Sequence, residues 1–152
     1  MKRLCASLLL AVPLVVVATP QFKDFPADVY TGKSKPAVIS KQFIALKTRV
    51  KSASKWDANF AGHYVVDSVG CGTECAVYFY VDLKAGRVAY LPESLQPDYS
   101  DIECESEAYY KPNSRLFVAS SMLSGACSVA YYEFLDGKFK LIETQPFQGV
   151  LQ

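Results

Sequence analysis

The spacing of apolar residues changes once along the chain, from about four residues to two. Between Ser40 and Lys55, apolar side chains recur every three or four positions, at Phe43, Leu46, Val50 and Ala53. This spacing predicts an amphipathic helix over 40–55 with Ser40 as its N-cap. From Gly62 onward alternation dominates, which predicts strands near 62–69, 75–82, 87–91, 101–110, 115–122, 127–135 and 138–143.

Short turns join these predicted strands, and Asp136-Gly137 is the type of pair that tight hairpins favour. Because short connections make successive strands antiparallel neighbours, we expect an α+β, mainly β fold. Its expected architecture is an antiparallel meander of six or seven strands with one N-terminal helix.

The β-rich part also contains an internal repeat. An offset of 52 residues places 63–83 over 115–135 and brings six identical residues together, among them Val66/Val118, Cys75/Cys127 and Tyr80/Tyr132. The repeat predicts two three-stranded units of the kind that build propeller blades, although two units are too few to close a propeller. Similar composition in two β-rich segments is the alternative explanation.

The N-terminus has the features of an export signal. Lys2 and Arg3 precede an apolar run from Leu8 to Val17, and Val16-Val17-Ala18 matches the small-x-small pattern of a cleavage site. We therefore expect a signal peptide at 1–18, an extended connector at 19–39 and a single disulfide-stapled domain at 40–152. The predicted location is periplasmic or secreted. We expect no membrane insertion once the leader is removed, because no second long apolar run follows.

Cysteine usage fits that compartment. Removal of Cys5 with the leader leaves four cysteines, and an even number in an oxidising environment predicts two structural disulfides. We expect Cys71 to pair with Cys75 and Cys104 with Cys127, since three residues separate the first two thiols. Three connectivities are formally open, and a Cys75–Cys127 link would instead join the two repeat units.

Composition excludes several classes of protein. The chain is 51% apolar, 20% charged and carries a net charge of +1, so it is neither disordered nor suited to general nucleic-acid binding. The charge is uneven, with eight bases and two acids in 23–55 against two bases and ten acids in 57–107. This asymmetry predicts a basic helix lying against an acidic sheet. Alternating acids at Asp101, Glu103, Glu105 and Glu107 predict a solvated strand face.

The most distinctive segment is Phe60-Ala61-Gly62-His63-Tyr64, followed by Gly70-Cys71-Gly72-Thr73-Glu74-Cys75 and by the turn Asp82-Leu83-Lys84-Ala85-Gly86-Arg87. These motifs resemble those of a group of small exported bacterial proteins with no established activity. The resemblance covers residues 22–143 and is most specific in the central third. It implies a location in the cell envelope and assigns no functional residue.

Few residues are candidates for chemistry. His63 alternates with Asp67 along one strand, so the two could form an imidazole–carboxylate pair. Tyr78 and Tyr80 share the face of the second strand opposite Phe79 and Val81, and we expect the two tyrosines to pack beneath the helix. The candidate binding residues are His63, Tyr64, Tyr78 and Tyr80.

We predict no catalytic residue, no metal site and no cofactor. The expected function is that of an exported, non-catalytic binding protein, for example an inhibitor or an immunity-type partner of another envelope protein. The alternative is an enzyme that uses His63 with Asp67, or a redox pair formed by Cys71 and Cys75. The partner itself is unknown, and we expect no binding to nucleic acid.

Overall fold

The computed structural model describes residues 18–72, 75–92, 95, 107–123 and 126–147, with the backbone alone at 71, 75 and 121–123. Within these ranges seven strands form two antiparallel sheets, ordered β1-β2-β3 and β4-β5-β6-β7. The strands are β1 (Tyr64–Gly72), β2 (Cys75–Asp82), β3 (Val88–Tyr90), β4 (Ala108–Tyr110), β5 (Leu116–Leu123), β6 (Ala126–Leu135) and β7 (Lys138–Pro146). The mainly β, antiparallel fold that alternation predicts is confirmed.

The helix is shorter than its periodicity predicts. A 3-10 turn at Lys41–Phe43 precedes a helix α1 at Lys47–Ala53, and Ser40 makes no side-chain capping hydrogen bond. The Tyr90 hydroxyl donates to the Gln42 carbonyl at 3.1 Å, while the amide of Leu46 donates to Phe43 instead. The expectation of one helix is confirmed, but the bounds 40–55 are too wide, because the first turn is 3-10 and α-helical geometry begins only at Lys47.

Three apolar clusters divide the molecule into layers. The central cluster lies between the sheets and combines Tyr64, Val66 and Tyr80 of the first sheet with Phe117 and Phe134 of the second. On the outer face of the first sheet, Phe79 and Val81 pack against residues 41–55, here called the helical segment, which contain the 3-10 turn and α1. On the outer face of the second sheet, Val118 and Val129 pack with partly buried Phe22 and Phe25. The remaining members of these outer clusters include Phe43, Val50, Ala53, Leu116 and Tyr131.

Residues 22–39, here called the strap, run from one outer face to the other. After a 3-10 turn at Phe22–Asp24 the strap is extended, and its amides donate to a succession of turns. Ala27 donates to Asn113 at 2.9 Å, and Tyr30 donates to Gly62 at 2.8 Å. The sequence predicts an extended connector here, and the structure shows that it ties the two sheets together.

The strand pairing in the hairpins β1–β2 and β5–β6, the two copies of the internal repeat, differs in register by one residue. Val66 lies opposite Tyr80, and the equivalent core pair in the second sheet is Phe117 opposite Tyr132. A β-bulge between Gly70 and Gly72 accounts for the difference. A shift of one residue moves a side chain to the other face of its strand. The offset of 52 therefore aligns Val66, in the central cluster, with Val118, in the outer cluster of the second sheet.

Three predictions fall at least partly outside the described ranges. These are residues 1–17 of the predicted leader, Cys104 of the predicted disulfides, and Asp101, Glu103 and Glu105 of the predicted acidic face. The side chains of Cys71 and Cys75 are outside the description as well, so the disulfide pairing stays a prediction. No helix in the described part of the chain is long and apolar enough to cross a membrane.

Candidate functional site

The distinctive segment 60–64 forms a tight turn that feeds Phe60 and Tyr64 into the central core. The amide of Tyr64 donates to the Phe60 carbonyl at 2.9 Å, and the amide of Phe60 donates back at 3.0 Å. Ala61 and Gly62 take positive φ values of 44° and 82°, which reverse the chain within two residues. The Phe60 ring then lies 5.6 Å from Phe117 and 5.0 Å from Phe134. The motif therefore organises the core.

This turn meets two others, and we call residues 60–64, 82–87 and 112–115 together the turn junction. Gly62 donates to Pro112 at 2.7 Å, and Leu83 donates to the His63 carbonyl at 2.9 Å. A Cβ atom at Gly62 would overlap the carbonyl oxygen of Asp28, and one at Gly86 would overlap that of Pro36. Glycine is required at both positions because the strap backbone passes directly over them.

Asp82 is the polar centre of the junction and is 2% exposed. Its Oδ1 accepts from the amides of Lys84 and Ala85 at 3.0 and 2.9 Å. Its Oδ2 accepts from Arg87 Nη2 at 3.1 Å. Burying a carboxylate is costly unless such donors surround it. The carboxylate therefore closes the β2–β3 turn and holds Arg87 at the surface.

Beside Asp82 a cleft of about 430 Å³ opens between the ends of the two sheets. We call it the tyrosine cleft. The strap, the first sheet and the β6–β7 turn all contribute to its walls. Its lining residues are Val38, Ser40, Tyr64, Tyr80, Asp82, Arg87, Val88, Ala89, Asp136, Gly137 and Lys138.

The two tyrosines of the cleft are in edge-to-face contact, with ring centroids 5.6 Å apart. The Tyr80 hydroxyl donates to the Gly137 carbonyl at 3.1 Å, which links the first sheet to the β6–β7 turn. Burial, assisted by the negative charge of Asp82, raises the pKa of Tyr64 to about 12. Burial also raises the pKa of Tyr80. Both hydroxyls therefore remain hydrogen-bond donors through the neutral range.

The Tyr64 hydroxyl differs from that of Tyr80 in one respect. Tyr64 is 5% exposed, yet its hydroxyl forms no hydrogen bond with any other residue that the structure describes. The hydroxyl oxygen itself is open to solvent, because among the described residues only Arg115 Nε is a buried side-chain polar atom without a partner. The cleft therefore contains a solvent-accessible hydroxyl that can donate to a ligand.

His63 and Asp67 do not form the pair that their spacing predicts. Asp67 accepts two hydrogen bonds from Arg49, from Nε to Oδ2 and from Nη2 to Oδ1, both at 2.6 Å. The Nε2 atom of His63 lies 3.8 Å from Oδ1 of Asp82 instead. His63 precedes β1 in the turn, where strand alternation does not apply. The Arg49 pair does show the basic helix lying against β1.

The environment of His63 favours its neutral form. Burial lowers the pKa of His63, and the positive charge of Lys84 lowers it further. Its ring lies 4.2 Å from the ring of Tyr64, but His63 is not among the residues that line the tyrosine cleft. The structure thus places this imidazole beside the cleft wall.

The expected packing of Tyr78 and Tyr80 beneath the helix is wrong. Phe79 and Val81 form the face that meets the helix, while Tyr80 points into the central core and Tyr78 packs against it. The sequence shows that these residues occupy opposite faces, but it does not show which face meets the second sheet. Of the four candidate binding residues, the structure brings Tyr64 and Tyr80 together in the cleft.

Asp82, Arg87 and Lys138 are site residues that sequence reasoning missed. The turn from Asp82 to Arg87 is visible as a motif, and an acid followed by glycine and a base fits a turn closed by its own side chains. Lys138 carries no comparable signal, since its place in the cleft depends on how the sheets pack. No family model, no curated protein and no solved structure matches this chain.

Proposed function

We propose that the protein is a non-catalytic binding protein that acts after export and binds a protein partner in the cell envelope. The observation that carries the proposal is the Tyr64 hydroxyl, which bonds to no other described residue and opens onto the cleft at the end of a buried side chain. The leader-like segment 1–18 and the resemblance to small exported bacterial proteins support the location. Either the periplasm or the extracellular medium fits them.

The chemistry of the cleft indicates what the partner contributes. The Tyr64 hydroxyl can donate a hydrogen bond, and Lys138 places a positive charge at the rim, whereas Arg87 is already paired with Asp82. Asp82 is already occupied by three donors and is 2% exposed, so it does not compete for a ligand. A carboxylate side chain of the partner would pair with both the Tyr64 hydroxyl and the Lys138 ammonium. Asp136 on the rim disfavours a partner that presents several acids at once.

The enzyme alternative based on His63 and Asp67 lacks support in the geometry. Both oxygens of Asp67 are bound to Arg49, so this carboxylate does not orient the imidazole. The redox alternative makes a separate prediction, namely a reactive thiol of low pKa at Cys71 or Cys75. Thiol titration of the native protein tests it, because two structural disulfides leave no titratable thiol in the exported form.

The binding proposal is tested by capture from an envelope extract with the tagged protein and identification of what is retained. Affinity for that partner is then measured for Tyr64→Phe and Lys138→Gln. Loss of one hydrogen bond or one rim charge should weaken binding about tenfold. The matched controls are Tyr131→Phe on the outer face of the second sheet and Lys140→Gln two residues along β7, and both should bind normally.

Equal affinity of wild type, Tyr64→Phe and Lys138→Gln would remove the cleft as the binding site. Thermal unfolding of each variant is recorded at neutral pH alongside. A variant that loses both binding and stability counts only as a folding defect, so Lys138→Gln, which changes an exposed side chain, gives the cleaner comparison.

A further inference from the structure

A second concave surface lies where the strap passes the helical segment. It is a groove of about 480 Å³ between the strap and the C-terminal end of α1. Four lysines contribute to it, Lys33 and Lys35 from the strap and Lys51 and Lys55 from the helical segment. We call it the lysine groove, and its other lining residues are Ser34, Pro36, Ala37 and Ser54.

The backbone places these lysines together. Lys51 lies in the last turn of α1 and Lys55 lies two residues past its end, so both meet the strap at the same end of the helix. Val50 and Ala53 are fully buried and fix α1 on the first sheet. The strap is held in register by hydrogen bonds from Lys35 to Leu83 and from Val38 to Gly86, both 2.8 Å. The two pairs of lysines are therefore brought together by the fold and not by contacts of their own side chains.

The groove is lined by cations and by no acid. Within the described ranges, each of the three arginines forms an ion pair, Arg49 with Asp67, Arg87 with Asp82 and Arg115 with Glu133. None of the four groove lysines forms an ion pair with a described carboxylate. The arrangement therefore leaves the positive charge available to a ligand.

We propose that the lysine groove binds a phosphate-rich anion that carries at least two neighbouring phosphoryl groups. A phosphoryl group concentrates up to two negative charges and several acceptor oxygens in a small volume, whereas a carboxylate carries one charge. Lysine offers three rotatable donors on a long stem and binds phosphate as a point charge. The size of the groove lies within the range of small-ligand sites.

This site is independent of the tyrosine cleft, since the two share no lining residue. It is also a local property and not one of net charge, because the whole chain carries only +1. Binding at the groove therefore goes beyond the proposed function. Failure of either proposal leaves the other standing.

The test is a calorimetric titration of the purified protein with sodium tripolyphosphate at low salt. Saturable binding with one site is expected. The double variant Lys33→Gln/Lys51→Gln should weaken it about tenfold, since it removes one lysine from each wall. The matched control, Lys23→Gln/Lys140→Gln, removes the same charge outside the groove and should change affinity by less than about twofold. Unfolding curves of both double variants should overlay that of the wild type.

A second arm identifies the source of the phosphate. Vesicles of phosphatidylcholine with phosphatidic acid are compared with soluble tripolyphosphate, using the same variants. Groove-dependent binding to the soluble probe alone assigns a free ligand, and groove-dependent binding to the vesicles assigns a lipid headgroup. The proposal is overturned if neither probe binds saturably, or if the control pair weakens binding as much as the groove pair.

Discussion

The turn junction and the lysine groove treat their charged groups differently. At the turn junction, two backbone amides and Arg87 surround the buried carboxylate of Asp82. At the lysine groove, four lysines line one surface and no described carboxylate lies among them. Both regions flank the strap and both are conspicuous in the sequence, one as a motif and the other as a run of bases. In the turn junction, the polar groups bond to one another and hold the turns together. The lysine groove leaves its polar groups open to solvent.

The difference teaches how to separate structural polar residues from candidate binding residues in this protein. A buried charge with several geometric partners stabilises the fold, and its removal exposes uncompensated donors. Mutation of a residue in an exposed cluster of like charges should change the free energy of unfolding little, because no stabilising contact is removed. The same substitution type should therefore have opposite consequences for stability and for binding in the two regions.

The largest effect is expected at the glycines beneath the strap. Gly86→Ala combines a φ of 73° with overlap between the new Cβ and the Pro36 carbonyl, and Gly62→Ala has the equivalent problem at Asp28. Each should lower the free energy of unfolding by roughly 2–4 kcal/mol in a urea titration. Gly72→Ala is the control, since its positive φ is strained but no atom lies within 4 Å of the added Cβ. A control loss as large as that of Gly86→Ala would contradict the close-approach argument.

The next effect is expected at Asp82. Asp82→Asn keeps the size of the side chain but removes the charge and places an amide where two backbone donors and Arg87 converge. We expect a loss of about 1–3 kcal/mol by chemical denaturation. Asp136→Asn makes the same change at an exposed turn residue with a φ of 51°, which asparagine tolerates, and should be near neutral. Similar losses for both variants would show that burial of Asp82 is not the cause.

A smaller effect is expected from Tyr64 at alkaline pH. Its pKa is about 12 in the folded protein against 10 for an unperturbed tyrosine, so the unfolded chain loses its proton first. The associated stability is full below pH 10 and is lost as the pH rises towards 12. Tyr64→Phe should flatten the decline in unfolding free energy across this window. A decline as steep as in the wild type would contradict the assignment to Tyr64.

The smallest effect is expected at the lysine groove. Lys33→Gln/Lys51→Gln should change the unfolding free energy by no more than about 0.5 kcal/mol, because these side chains have no described ion pair to lose. A clear loss of stability would mean that the lysines support the fold.

Much of the fold could be predicted from local patterns. Alternation of apolar residues locates six of the seven strands closely, and Asp136-Gly137 forms the expected tight turn with positive φ at both residues. The helix could be predicted only in part: its first turn is 3-10, and there the Gln42 carbonyl accepts a hydrogen bond from the distant Tyr90. Local periodicity contains no information on such a contact.

The candidate site was predictable only where a motif marked it. Tyr64 and Tyr80 are recognisable as candidates, but their meeting in one cleft depends on the packing of two sheets. The expected His63–Asp67 pair does not form, because both carboxylate oxygens of Asp67 accept hydrogen bonds from Arg49, eighteen residues earlier in the chain. An ion pair of this kind is decided by the approach of the helix to β1 and has no local signature.

The amino-acid sequence by itself determined the strands, their antiparallel order and the glycines at the tightest turns, because hydrophobic alternation and backbone sterics act between neighbours along the chain. Only the tertiary structure decided which strand face meets the second sheet, that the strap binds both sheets, and that Lys33 and Lys35 lie beside Lys51 and Lys55. The physical reason is that these arrangements depend on burial and charge between segments distant in sequence, and such interactions exist only once the layers have packed.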